Sequence, residues 1–202
     1  KKVRNIPIGT LAIGTTAKKL ISKTLDQNRL SYGPLTARFE KDFAKKHEVD
    51  YAMFTASGTC ALQVALHALK KIHNWKDGDE VLVPSVTFIA TSNIVILNNL
   101  KPVFVEVDPK TYNIDPREIE KHITKKTRAI IPVHLFGLPA DMDEILQIAK
   151  KYKLKIIEDS CETMGVKYRG KSVGSIGDIG CFSTYVAHLV TTGAGGLTTT
   201  NN

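Results

Sequence analysis

Residues 155–164 read Lys155-Ile-Ile-Glu158-Asp159-Ser-Cys161-Glu162-Thr-Met164, and no other stretch limits the fold as tightly. Two β-branched residues followed at once by two acids describe a short buried strand that ends in carboxylates. Open α/β sheets place their ligand sites at the carboxyl ends of parallel strands. A second stretch belongs with it: Cys181-Phe-Ser183-Thr-Tyr185-Val-Ala-His188-Leu-Val-Thr-Thr-Gly193-Ala194-Gly195-Gly196. It reads as a strand over 180–183, a polar turn holding His188, and a glycine-rich return.

The remainder alternates helix and strand signals. A helical apolar period covers 15–27 through Leu20, Ile21 and Leu25, with Thr15 or Thr16 as N-cap. Pro34 opens a second helix with Leu35, Phe39 and Phe43 on one face. Strands are expected over 51–55, 80–84, 101–107 and 128–133, and amphipathic segments over 115–123 and 141–152. Strands alternating with helices argue for a mostly parallel, doubly wound α/β sheet. With neither an internal repeat nor a low-complexity linker, one domain over residues 1–202 is expected.

Ala56-Ser57-Gly58-Thr59-Cys60 enters a helix whose apolar side carries Leu62, Ala65, Leu66 and Leu69. Free N–H groups at such a start bind a phosphate, and an ordinary N-cap would look the same. Phe88, read on its own, is a core helix residue. Asp159 alone is also compatible with a turn cap, Glu162 with a solvent-facing side chain, and His188 with a surface histidine.

Formal net charge is +8, and residues 1–50 supply 11 Lys/Arg against 5 Asp/Glu. A solvated lysine-rich helix face accounts for this, and no aromatic-interleaved basic repeat points to nucleic acid. Cys60, Cys161 and Cys181 are odd in number and lack CxxC spacing, which argues against a disulfide framework or zinc site and fits a reducing cytoplasm. No run of about 18 apolar residues suggests a membrane span, and the lysine-rich start lacks the apolar core of a secretory signal.

Taken together, Glu-Asp at 158–159, Gly-Asp at 177–178, Phe-Ser-x-Tyr at 182–185 and Thr-Thr-Gly-x-Gly-Gly at 191–196 resemble the DegT/StrS family of pyridoxal-phosphate (PLP) sugar aminotransferases. The resemblance covers nearly the whole chain and implies the large domain of PLP fold type I, without the C-terminal small domain. It implies that Asp159 faces the cofactor's pyridine nitrogen and that Phe88 lies over the ring. It places the phosphate on Gly58, Thr59 and Ser183. In the family a lysine three residues after the tyrosine holds PLP covalently, but here that position is His188, and no lysine follows Lys171. Histidine there, with an acid at Glu162, resembles the nucleotide-sugar 3-dehydratase branch. That branch implies non-covalent pyridoxamine phosphate (PMP), a 4-keto-6-deoxy sugar nucleotide as substrate, and His188 as the acid/base. It also implies a homodimer with shared active sites. Ala194 departs from the family, where an acid commonly stands between the glycines. Three readings stay open: 3-dehydratase, aminotransferase, and a catalytically silent sugar-nucleotide-binding relative.

Overall fold

The computed structural model describes residues 12–28 and 31–202. The lysine-rich start, including Lys1 and Lys2, lies outside them. Helix α1 (Thr15–Asp26) leads to α2 (Pro34–Lys46), then β1 (Tyr51–Thr55), α3 (Gly58–Ile72), β2 (Glu80–Pro84), α4 (Ala90–Leu97) and β3 (Lys101–Val105). A short α5 (Pro116–Ile119), β4 (Thr127–Ile130), α6 (Met142–Tyr152) and β5 (Lys155–Asp159) follow. The hairpin β6 (Lys167–Tyr168) and β7 (Lys171–Ser172) precedes β8 (Ile179–Ser183) and β9 (Gly196–Thr200).

The seven-stranded sheet runs β1-β9-β8-β5-β4-β2-β3. From β3 to β8 every pairing is parallel, while β9 lies antiparallel to both β8 and β1. Period-two alternation along the central strands builds two cores. Val81, Val83, Ala129 and Ile157 face α3 and α4 with Leu62, Leu66 and Ile94. Leu82, Ile130 and Ile156 face α6 with Met142 and Ile145. At about 25 cal/mol per Å² of apolar surface, each fully buried Leu or Ile contributes roughly 1.5–3 kcal/mol. The expected α/β sheet is therefore present, with helices on both faces.

Some local expectations need correction. The N-cap of α1 is Gly14, with no side-chain cap, and α1 buries no residue; Leu20, Ile21 and Leu25 stay exposed. On α2, Phe43 is buried and Phe39 half-buried, but Leu35 is exposed. The strand expected over 128–133 is regular over Thr127–Ile130; beyond it Ile131 N–H still bonds the Leu82 carbonyl, the Pro132 carbonyl accepts Asp159 N–H, and Val133 forms an isolated parallel bridge with Asp159. The β6–β7 hairpin went unforeseen; Arg169 and Gly170 both take positive φ, as a tight two-residue turn demands. Among the described residues no helix is long and apolar enough to cross a membrane.

Where α2 meets the sheet, His47 is almost fully buried, stacked on Phe43 with centroids 4.3 Å apart and 4.6 Å from the Phe182 ring. Its Nδ1 lies 3.2 Å from the Ser172 hydroxyl. Burial lowers its pKa, and Lys46 adds to that, against opposing contributions from Val173 and Glu48. The unfolded chain therefore binds the extra proton first, at about pH 6.5. Stability is complete above that pH and is lost as pH falls toward the lower folded value. Urea midpoints should fall between about pH 7.5 and 5.5, and His47→Phe should lessen the fall. An equal fall in the variant would assign it to other groups.

Candidate functional site

A cavity of about 400 Å³ opens at the carboxyl ends of β5 and β8. It is lined by Ser57, Gly58 and Thr59 from the start of α3, by Thr87, Phe88 and Ala90, and by Val133 and Leu135. Asp159, Cys161, Glu162, Ser183, Tyr185 and His188 complete the wall. Every site residue expected from sequence is thus brought into one cavity: Gly58, Thr59, Phe88, Asp159, Glu162, Ser183 and His188.

Each arrives there for a local reason. Ser57 caps α3 by accepting from the Cys60 N–H at 3.1 Å. Gly58 and Thr59 occupy the first helical turn, where no carbonyl within the helix lies four residues back to take their N–H groups. The partial positive charge of a 15-residue helix adds to that donor pair. A Cβ on Gly58 would stand 2.8 Å from both Cys161 Sγ and Ser183 Cβ, so only glycine lets α3 reach this close to β8.

The two acids of β5 part company. Asp159 turns into the cavity, whereas Glu158 is fully buried on the opposite face of the sheet. One Glu158 oxygen accepts from Ile176 N–H at 2.7 Å and Gly177 N–H at 2.6 Å. The other accepts from Gly174 N–H at 2.9 Å and lies 3.0 Å from His134 Nε2. Ala140 N–H donates to His134 Nδ1, so the proton sits on Nε2 and points at Glu158. The expectation that β5 delivers two carboxylates to the site is therefore corrected to one; the other fastens the 173–178 turn.

Asp159 Oδ1 accepts from Cys161 N–H at 3.2 Å, and Oδ2 accepts from the Thr91 hydroxyl at 2.9 Å. The Cys161 thiol is pushed well up, by burial first and then by Asp159, which keeps it protonated and a poor nucleophile. Phe88 is 69% exposed and belongs to the loop before α4, so its reading as a core helix residue is excluded. Glu162 is half-buried, and its Oε2 accepts the Phe136 N–H at 3.0 Å. That contact holds Phe136 at φ 52°, a strained conformation for a bulky side chain. A glutamine oxygen could accept the same bond, so the turn does not require an acid at 162.

His188 is half-buried in the turn after β8, its N–H bonded to the Tyr185 carbonyl. Among the described residues nothing hydrogen-bonds its ring, and the side chain lines the cavity. The turn is closed at its neck: Thr184 N–H bonds the Gly195 carbonyl, and Thr192 N–H bonds the Thr184 carbonyl. The Thr184 and Thr192 hydroxyls lie 2.7 Å apart, and a Cβ on Gly195 would strike both. Ala194 stands exposed there, its carbonyl taken by the Thr192 hydroxyl. Tyr185 enters the sequence reading only as a motif marker, and Thr87 and Thr91 carry no sequence expectation. Hydroxyls at 87 and 91, one helical turn apart before an apolar run, were the available signal.

The family model described as "DegT/DnrJ/EryC1/StrS aminotransferase family" matches residues 12–202. The chain is 45% identical over 172 residues to the GDP-perosamine synthase of Caulobacter vibrioides, covering 85% of this chain and 45% of that protein. An aminotransferase structure from Psychrobacter cryohalolentis superposes with TM-score 0.90 at 41% identity, over 95% of this chain and 48% of that one. The E. coli GDP-4-keto-6-deoxy-D-mannose-3-dehydratase, solved with bound hydrated PLP, superposes with TM-score 0.93 at 32% identity, over 98% and 51%. The chain spans about half the length of the relatives it matches. Its sheet is that of PLP fold type I.

The close fit at Gly58 is testable without any ligand. Gly58→Ala should destabilise by about 1–3 kcal/mol through overpacking. Cys161→Ala in the same chain should recover part of that loss, because it removes one of the two atoms met. Urea denaturation of the single and double variants measures the coupling; strictly additive effects would show that the two residues do not compete for the space.

Proposed function

The chain belongs to the DegT/DnrJ/EryC1/StrS aminotransferase family, and from that premise we propose that it forms the cofactor-binding part of an enzyme acting on a nucleotide-activated 4-keto-6-deoxy sugar. The cofactor is PLP or its amino form PMP, held without a covalent link. One observation carries this reading: the cavity wall combines a carboxylate, hydroxyls, a helix start and an open imidazole, and none of its described lining residues is a lysine.

The residues fit such a group. Gly58 and Thr59 N–H, with the Thr59 and Ser183 hydroxyls, would take the phosphate. Phe88 would lie against the ring face, Asp159 would pair with the ring nitrogen, and Glu162 would stand on the ring-hydroxyl side. When bound, the ring supplies an electron sink for charge released at the sugar. Histidine cannot replace lysine as a covalent anchor, but it can take up and return a proton. We assign His188 the transfer of a proton to the C3 hydroxyl oxygen of the sugar as that oxygen leaves. The reaction is then a 3-dehydration. Phe88 and Tyr185 remain exposed at the cavity, as do Phe136 and Leu189 beside other lining residues, which supports a homodimer whose partner covers the site.

Transamination is the second reading, favoured by the 45% identity to a GDP-perosamine synthase. Incubating the intact protein with PMP and a GDP- or UDP-linked 4-keto-6-deoxy sugar separates the two. Loss of the C3 hydroxyl is expected; gain of an amino group at C4 would replace the first reading by the second, and no turnover would remove both. His188→Asn should still bind PMP yet lose turnover by about 10²–10⁴-fold, the usual worth of a positioned acid/base.

A further inference from the structure

Asp159 is held in place by more than its own strand. Its backbone N–H bonds the Pro132 carbonyl at 2.9 Å, and its carbonyl accepts from His134 N–H at 3.0 Å. Among the described residues the carboxylate is held by the Cys161 N–H on Oδ1 and the Thr91 hydroxyl on Oδ2, with the Cys161 thiol also hydrogen-bonded to it. Both Cys161 contacts come from the residue two places along the same chain segment. The Thr91 contact alone comes from a different element, 68 residues earlier, in the first turn of α4.

Thr91 is fully buried, and both of its donors are committed. Its N–H donates to the Phe88 carbonyl at 3.1 Å, and its hydroxyl proton goes to Asp159 Oδ2. A hydroxyl has one proton, so the 2.8 Å contact between Thr87 and Thr91 oxygens runs one way, with Thr87 donating. Donation therefore proceeds from Thr87 to Thr91 to Asp159. The loop carrying Phe88 is tied at 87 and at 88 to the residue that holds Asp159. Helix α4 has no side-chain cap that would otherwise use these hydroxyls.

We propose that Thr91 is a positioning residue: with Thr87 behind it, it sets the angle of the Asp159 carboxylate and couples that angle to the placement of Phe88. This rests on the functional reading above, in which Asp159 meets the edge of a pyridine ring and Phe88 its face. The two contacts must be set at right angles to one another, and a single buried threonine bonded to both segments supplies that constraint. Asp159 keeps acceptor capacity for a ligand, since a carboxylate offers about four acceptor sites and an N–H, a hydroxyl and a thiol engage three of them.

The test is PMP and PLP binding to the intact protein by equilibrium dialysis, with the absorption spectrum of the bound cofactor recorded alongside. Thr91→Val keeps the shape and removes the hydroxyl. It should weaken binding roughly tenfold to a hundredfold, the scale of a lost hydrogen bond to a charged group, and shift the bound cofactor's absorption band. Thr91→Ser should restore both affinity and band. Thr87→Val leaves the Thr91–Asp159 bond and should weaken binding by roughly threefold; it carries the test if Thr91→Val does not fold. Parent-like binding and spectrum in Thr91→Val, or in Thr87→Val where that variant carries the test, would overturn the proposal alone. A parent protein that binds neither cofactor would overturn the functional reading and this proposal with it.

Discussion

The Glu158 carboxylate, sealed from solvent, collects four donors, two on each oxygen, from the 173–178 turn and from His134. Its acceptor capacity is full. Removing such a buried acceptor strands several donors at once, a loss of about 3–5 kcal/mol. Because side chains alternate along a strand, committing Glu158 to the α6 side forces Asp159 toward α3 and α4, where the cavity lies. The same turn fixes β8: Asp178 accepts from Ile156 N–H and pairs with Lys155 at 2.7 Å, while Thr199 bonds the Gly174 carbonyl. Placement of Ser183 and His188 beyond β8 follows from that registration.

The two neighbouring acids therefore divide their work by saturation. Glu158 has every oxygen site occupied and serves the fold. Asp159 takes the Thr91 hydroxyl and the N–H and thiol of Cys161, and keeps capacity for something else. A similar split separates the two histidines near the site. His134 is bonded through both ring nitrogens, one accepting and one donating. His188 has neither bonded among the described residues. Unsaturated polar groups gathered around one cavity, backed by saturated ones, are what a ligand site requires.

Much of this was legible in the chain itself. Strand β5 and its acids, the α3 start and the His188 turn carry local signals: β-branched runs, an N-cap serine, and glycines where backbones touch. Strand alternation puts Glu158 and Asp159 on opposite faces, but period alone could not say which face holds the cavity, since a buried strand reads apolar on both. The 87/91 hydroxyl spacing was visible, but the role of Thr91 was not, because its partner lies 68 residues away. Leu35 and the apolar face of α1 look like core and stay exposed, for a helical period shows which side is apolar, not what covers it.

The central claim is that a pyridine phosphate sits in this cavity held only by non-covalent contacts, with His188 where an anchoring lysine would stand. Borohydride reduction of the intact, cofactor-loaded protein, followed by mass measurement of the polypeptide, tests it directly. The expected result is an unchanged polypeptide mass, with the cofactor released on denaturation. A pyridoxyl group fixed to the chain, mapped by peptide mass to a residue of the site, would contradict it.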